Sequence, residues 1–285
     1  MLVVALMLLV MPQAMALKYK IDGNLSDWGV DLSGNWSLNE TWVPNDGVWF
    51  IVEDNRNPNA GGSYTGVHIK GVGSDYEFYD EPQVKTRDGD WIWEPYGTEY
   101  FDLEAIYVDE DDSYIYIAIV WGLDPNEDGD NAPGDIALNL DANDTTGEYG
   151  YEYGVKLGTK TGLTQWEIGY LPDWESPYYV PDNKPSVFKD YLTGGGKTGE
   201  AEGAYVQIAK DDHGFHNYVV EVAIPKDMVG MAGKYLSEPP FMKIVHVTDA
   251  CGNDHGEVSI PEFLVVLVPV AIVLGLVFYL RNTKF

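Results

Sequence analysis

The stretch from Phe101 to Leu157 constrains the fold more than any other part of the chain. It opens with two dense runs, FDLEAIYV and SYIYIAIVW, separated by the acidic turn Asp109-Glu110-Asp111-Asp112. In Ser113–Trp121, Ile115, Ile117 and Ile119 fall on one face of an extended chain. Tyr114, Tyr116, Ala118 and Val120 fall on the other. Side chains alternate across a strand, so a run that is apolar on both faces predicts a strand covered on both sides. The Asp109–Asp112 run reads as a hairpin tip rather than a site. Beyond it come the loop DPNEDGDNAPGD, a strand GDIALNLD, a second acidic loop DANDTTGEYG and the strand YGYEYGVKL.

The remaining chain follows the same pattern. Short β-type runs occur at Val48–Glu53, Tyr64–Val72, Leu163–Tyr170, Ala204–Ala209, Asn217–Ile224 and Phe241–Val247. Trp28 is expected to pack on the end of the sandwich, and Pro225–Gly230 reads as a single helical turn. Leu171–Gly203, rich in Pro, Gly and aromatics, reads as a long loop. Within it Gly194–Thr198 lacks the earlier glycine and the strand-to-helix context of a phosphate loop and is read as a flexible turn. Roughly a dozen strands with turn signals between them, and no long amphipathic helix outside the C-terminal apolar segment, predict an all-β fold. The expected architecture is an antiparallel, jelly-roll-like β-sandwich.

Both ends carry targeting signals. Residues 1–16 have no charged side chain and end in Ala14-Met15-Ala16, which reads as a secretory signal peptide cut after Ala16. Phe263–Leu280 is 18 residues without a charge, about 27 Å long as a helix and enough to cross a bilayer core. Arg281 and Lys284 follow, which places the C-terminus in the cytoplasm and the bulk of the chain outside. The expected organisation is signal peptide 1–16, ectodomain 17–254, linker 255–262, transmembrane helix 263–280 and basic tail 281–285. Sequons stand at Asn24, Asn35, Asn39 and Asn143, expected glycosylation sites of an exported glycoprotein. A single cysteine, Cys251, rules out an intrachain disulfide and reads as a buried structural thiol.

The net charge is −29, from 46 acidic and 17 basic residues. That balance argues against nucleic acid as a partner, because phosphate neutralisation needs clustered Lys and Arg. It suits divalent cations and basic partners.

KIDGNLSDW, the EAIYVDEDDSYIYIAIVW pair and NYVVEVAIP, in that order, resemble the carbohydrate-binding-module family 9-like β-sandwich of the broad DOMON-like group, over about Lys18–Asp254. The resemblance implies a sugar ligand or, as in some relatives, haem. Ile260-Pro261-Glu262-Phe263, followed by the apolar span and basic residues, is similar to the PEF-CTERM sorting signal of archaeal surface proteins. That resemblance implies an archaeal source. It also implies an archaeosortase partner, a membrane transpeptidase-like enzyme that cleaves near Pro261, Glu262 and Phe263 and transfers the protein to an anchor.

The strongest local site signal is Asp124 to Asp135. Asp124, Asn126, Asp128, Gly129, Asp130 and Asp135 occupy positions one, three, five, six, seven and twelve of a calcium loop. Calcium takes oxygen ligands from alternate residues of such a tight loop. Asp stands at position twelve instead of Glu, and Pro133 lies inside, so an EF-hand-like loop in a β domain is expected. Asp141, Asn143, Asp144 and Glu148 form a second acidic loop that completes that site or makes another; glycosylation of Asn143 would exclude its use as a metal ligand. Candidate sugar-stacking rings are Trp91, Trp93, Trp166, Trp174, Tyr178 and Tyr179. Trp174, Tyr178 and Tyr179 are favoured because they fall in the long polar stretch. His68, His213, His216 and His246 are unpaired in sequence as haem or zinc ligands. The reading is a non-catalytic, calcium-stabilised, membrane-anchored surface protein for attachment or envelope structure. The runner-up is a carbohydrate-binding module for envelope or environmental glycans, and a glycoside hydrolase is third.

Overall fold

The computed structural model describes residues 17–32, 40–55, 66–80, 83–94, 99–127, 129–159, 162–210, 216–238 and 243–260. The signal-like run 1–16, Asn35, Asn39, Asp128, His213, the motif Pro261-Glu262-Phe263 and the apolar run 263–280 lie outside the described residues. Among the described residues, no helix is long and apolar enough to cross a membrane.

The alternating runs form strands, and the chain is all-β. In order they are β1 (Trp49–Asn55), β2 (Gly66–Val72), β3 (Asp75–Phe78), β4 (Val84–Lys85), β5 (Trp91–Ile92), β6 (Leu103–Glu110), β7 (Tyr114–Trp121) and β8 (Ile136–Asn139). Then follow β9 (Tyr153–Val155), β10 (Glu167–Trp174), β11 (Phe188–Glu200), β12 (Glu202–Lys210), β13 (His216–Pro225), β14 (Lys243–Thr248) and β15 (His255–Ile260). One sheet has the order β12-β13-β7-β6-β1-β2-β3 and a second β11-β10-β9-β8-β14-β15; β4 and β5 form a separate ribbon. The pairings are antiparallel. The η-type turn Lys226–Val229 matches the single helical turn expected after β13.

The β6–β7 hairpin sits at the centre of the first sheet. Its tip is held by Asp111, whose Oδ1 accepts the amides of Ser113 at 2.7 Å and Tyr114 at 2.8 Å. This local bonding is what an aspartate in a turn offers. The hairpin register sets Val108 opposite Ile117 and Ile106 opposite Ile119. Ile115, Ile117, Ile119 and Trp121 then face inward onto Ile136, Leu138, Val155, Ile168, Val245 and Val258 of the second sheet. Tyr116, Ala118 and Val120 face outward, yet they are fully buried.

Residues near the N-terminus cover that outer face. Tyr19, Leu25, Trp28, Val30 and Trp42 join Phe50, Tyr107, Tyr116 and Val219 in a second core. Trp28 stacks on Tyr19 with ring centroids 4.0 Å apart. Its indole N–H donates to Glu221 Oε1 at 2.9 Å, and Glu221 Oε2 accepts the amides of Asp22 at 3.0 Å and Gly23 at 2.5 Å. Gly23 has φ +79°, and a Cβ there would lie 2.5 Å from Val206 Cβ, so both conformation and space demand glycine.

Two expectations about boundaries are corrected. Leu171–Gly203 is not a loop: it holds the end of β10 and all of β11, a hairpin with three register shifts. Gly194–Thr198 lies inside β11 rather than in a turn. β11 is a bulged edge strand with a largely exposed surface, so its sequence needs no apolar alternation. The supposed linker from residue 255 begins with β15, in which Gly256, Val258 and Ile260 face inward and Glu257 and Ser259 outward. The β-strand structure therefore extends to Ile260, beyond Asp254. Glycine at one inward position hid the alternation, and Gly256 is required there because a Cβ would meet Leu103 Cδ2 at 2.5 Å.

Candidate functional site

The acidic loop after β7 is organised by its own turns and by a buried ion pair. Asp124 Oδ1 accepts the amide of Asn126 at 2.8 Å and its Nδ2 at 3.0 Å, and Oδ2 accepts the Tyr218 hydroxyl at 2.9 Å. Asp135, expected at the twelfth ligand position, is fully buried. Its Oδ2 meets Lys156 Nζ at 2.6 Å and the Phe188 amide at 2.8 Å, and its Oδ1 accepts the amides of Leu157 at 2.6 Å and Gly158 at 3.3 Å. Lys156 is itself 1% exposed. A carboxylate saturated by an ammonium and three amides is a structural charge pair, so Asp135 is withdrawn from the ligand set. The signal for this was Lys156 itself, a lone charge in the apolar run YGVKL that demands a buried partner. Asn126 is exposed, and the side chain of Asp130 is not described.

The second acidic loop is also turn chemistry. Asp141 Oδ1 accepts the Asn143 amide at 2.9 Å, and Asn143 Oδ1 accepts the Thr145 amide at 3.1 Å and its hydroxyl at 2.7 Å. Glu148 Oε2 accepts the Trp174 amide at 2.7 Å. Asn143 is exposed, as is Asn24, which caps the short turn Leu25–Trp28 by accepting the Ser26 amide.

The favoured sugar-stacking set does not assemble. Trp174 is 2% exposed, lies on β10 rather than in a loop and packs on Phe188 at 5.6 Å between centroids, so it is core. Tyr178 is exposed but lies under the Arg87 guanidinium, 4.7 Å from its centroid, while Tyr179 O accepts the Arg87 amide at 2.9 Å. These two tyrosines therefore brace the β4–β5 ribbon. Trp91 is exposed beside Lys85, and Trp166 packs partly on the main core. His68 and His246 lie in different sheets. Burial lowers their pKa values to about 4 and about 3 respectively.

Sequence reasoning missed an interior cluster of acids around the β14–β15 turn. Glu94, Asp249 and Asp254 are all nearly inaccessible. Glu94 binds His255 Nδ1 at 2.9 Å and the Asn183 amide group. Asp254 accepts the Leu103 amide at 2.6 Å, and Asp249 accepts the Asn253 amide at 2.7 Å and the Cys251 thiol at 2.9 Å. Burial pushes Asp249 up to about 7, against the bonds from Cys251, Asn253 and Gly252. Burial and then the Glu94 charge push Asp254 well up from the usual carboxylate range. The thiol of Cys251 is half-buried.

An open groove of about 600 Å³ runs along the side of the sandwich, between β1, β2 and β3 and the outer edge of β15. Trp49 and Tyr79 supply rings, and Lys70, Glu77 and Glu257 supply charges. Lys70 Nζ lies 5.1 Å from the Tyr79 centroid, and Tyr79 OH donates to Glu53 at 2.6 Å. Trp49 is 9% exposed, and its indole nitrogen has no hydrogen-bond partner among the described residues. The size and the mixture of rings and polar groups suit a small-molecule or oligosaccharide site.

In comparison with known proteins, no family model, no curated protein and no solved structure matches this chain.

Asp135→Asn should lower unfolding stability by about 3–5 kcal/mol, the usual cost of leaving one charge of a buried pair uncompensated. The loss should be equal with calcium and with chelator in urea unfolding; a loss seen only with calcium would restore Asp135 as a ligand.

The interior acids also predict a pH dependence. Asp249 holds a proton to about pH 7 when folded, whereas the unfolded group loses it near 3.8. The folded state therefore binds more protons through that window, and stability falls as pH rises through it. His68 and His246 act in the opposite sense, but only below their ordinary value of 6.5. Between about pH 6 and 8, thermal unfolding should show declining stability, and Asp249→Asn should remove about 1 kcal/mol of that decline. Superimposable profiles for the two proteins would contradict the assignment.

Proposed function

We propose that this chain is a non-catalytic cell-surface protein, a jelly-roll-like β-sandwich exported by the signal at 1–16 and mounted on the membrane by the apolar run 263–280. The observation that carries this reading is the position of β15. It ends at Ile260, which is 1% exposed in the main core, and only Pro261 and Glu262 separate it from the start of the uncharged run. The sandwich would thus sit directly on its anchor without a spacer, as suits attachment or envelope structure. Processing by an archaeosortase at Pro261-Glu262-Phe263 would occur just outside the last strand. The exposed Asn24 and Asn143 are the described sequons open to glycosylation. Calcium stabilisation is proposed in a narrower form than the full loop spacing implied. The candidate donors are Asp124, Asn126, Asp128 and Asp130, together with Asp141, and with Asn143 only where it carries no glycan, without Asp135.

The side groove favours a second reading, glycan binding. Trp49 and Tyr79 line it with rings, and Lys70, Asp75, Glu77 and Glu257 offer partners for hydroxyls.

Cell fractionation tests the first reading. The full chain should sediment with membranes, resist carbonate and be shaved by protease added outside the cell, and truncation after Ile260 should release it in folded form. A cytosolic, protease-protected full chain would contradict it. For the groove, a glycan array probed with wild type and Tyr79→Ala should show binding lost in the variant; absence of binding by either would remove the second reading.

A further inference from the structure

One wall of the side groove is backbone. β15 ends the second sheet, and no described strand pairs with its outer edge. Such an edge presents N–H and C=O groups of alternate residues, which a further strand can bond. Glu257, Val258 and Ser259 of this edge line the groove, and Glu257 and Ser259 are exposed.

The floor is an overhang of the first sheet. β15 packs over β6 and β1, whereas β2 and β3 lie further out in the order of the first sheet. The register sets Trp49 opposite Val72 and Ile51 opposite Lys70, then Val72 opposite Asp75 and Lys70 opposite Glu77. Residues directly opposite share a face, so these six form one surface, continuous with the main core through Trp49 and Ile51. Nearest β15 that surface is apolar, and Val72 and Tyr79 are only partly buried against the core. Further out it is charged, with Lys70 Nζ 3.8 Å from Glu77. An apolar strip beside an open strand edge is the seat that strand addition requires.

The geometry also selects the occupant. A second folded copy cannot pair through its own β15, because its β6 and β1 would need the space that β2 and β3 of the first copy occupy. A single extended segment meets no such obstacle. Its side chains alternate between two faces. Those turned inward lie beside Val258 and over Trp49, Ile51 and Val72, which calls for apolar residues. Those turned outward lie beside Glu257, which is exposed and forms no ion pair among the described residues. Opposite charges across a strand pair attract, and the net charge of −29 adds a field of the same sign.

We propose that β15 accepts, as an added edge strand of the second sheet, an extended segment of a partner protein in which apolar residues alternate with Lys or Arg. This supplies a partner for the attachment reading without resting on the membrane placement, which fractionation tests separately. It competes with glycans for the groove, and the backbone edge, which a strand uses along its length, favours the strand.

The test is calorimetric titration of the detergent-solubilised full chain with three synthetic peptides. The first is VKVRVKV, the second its acidic counterpart VEVDVEV, and the third is VKVRVKV with two consecutive central amides N-methylated, which blocks both of its edges. Saturable binding of the first is expected, with the other two weaker by about tenfold or more, the scale of a few cross-strand charge pairs or one or two hydrogen bonds. Bound VKVRVKV should slow hydrogen exchange at alternate amides of β15. Glu257→Lys, a change at an exposed position, should reduce the preference for the basic peptide over the acidic one by about tenfold. The proposal is overturned by absent binding of VKVRVKV, by equal affinity for the acidic or the methylated peptide, or by binding that leaves β15 exchange unchanged. Glycan binding in the groove without peptide binding likewise overturns it and assigns the groove to sugars. The peptide comparisons use the unmodified protein and so remain decisive if the variant fails to fold.

Discussion

Burial of β7 on both faces is the constraint on which the rest of the structure depends. Its inward isoleucines require a second sheet, and its outward Tyr116, Ala118 and Val120 require a cover. Few sandwich strands need the second, because an antiparallel sheet ordinarily leaves one face to water. Here Tyr19, Leu25, Trp28, Val30 and Trp42 supply it, in part from short turns rather than from another sheet. Irregular backbone packed on apolar surface must find hydrogen bonds elsewhere. Glu221 on β13 provides them, meeting the Trp28 indole and the Asp22 and Gly23 amides.

A second constraint is electrostatic. The chain carries far more acid than base, and several carboxylates end up inside. The structure treats them in different ways. Asp135 is neutralised by Lys156 and Glu221 is solvated by N–H groups. Asp249 and Asp254 are pushed toward the protonated form by burial. Glu152 is likewise pushed up by burial, with the Leu140 amide on its Oε1. How each acid is accommodated is set by this local accounting of donors, not by net charge.

Much of the fold was legible because alternation survives wherever a strand is central. The β6–β7 hairpin, its acidic tip and the strands at β1, β13 and β14 are all visible as apolar runs. Legibility failed at the margins, where physics relaxes the pattern. β11 is an edge strand with polar and glycine residues, and β15 places Gly256 at an inward position because Leu103 and Ile106 fill the space. The sites were less legible still. Calcium-loop spacing at Asp124 to Asp135 cannot reveal that Asp135 turns inward to Lys156, whose position depends on β9 pairing. For Trp174, core packing was the commoner expectation for any one ring, and the β10–β11 hairpin bears it out. Glu152, between tyrosines in YGYEYGVKL, has the look of a residue on a solvent face.

The central claim is that the β6–β7–β13 unit, covered on both sides, is the last part of the protein to open. Native-state hydrogen exchange resolved by residue addresses it most directly. The amides of Ile115 to Val120 and of Val219 to Ala223 should exchange only through global unfolding, with protection matching the unfolding free energy. Those of the edge strands β3 and β11 should exchange through smaller, local openings. If the β7 amides exchanged as readily as those of β11, the doubly covered core would not be what holds this fold together.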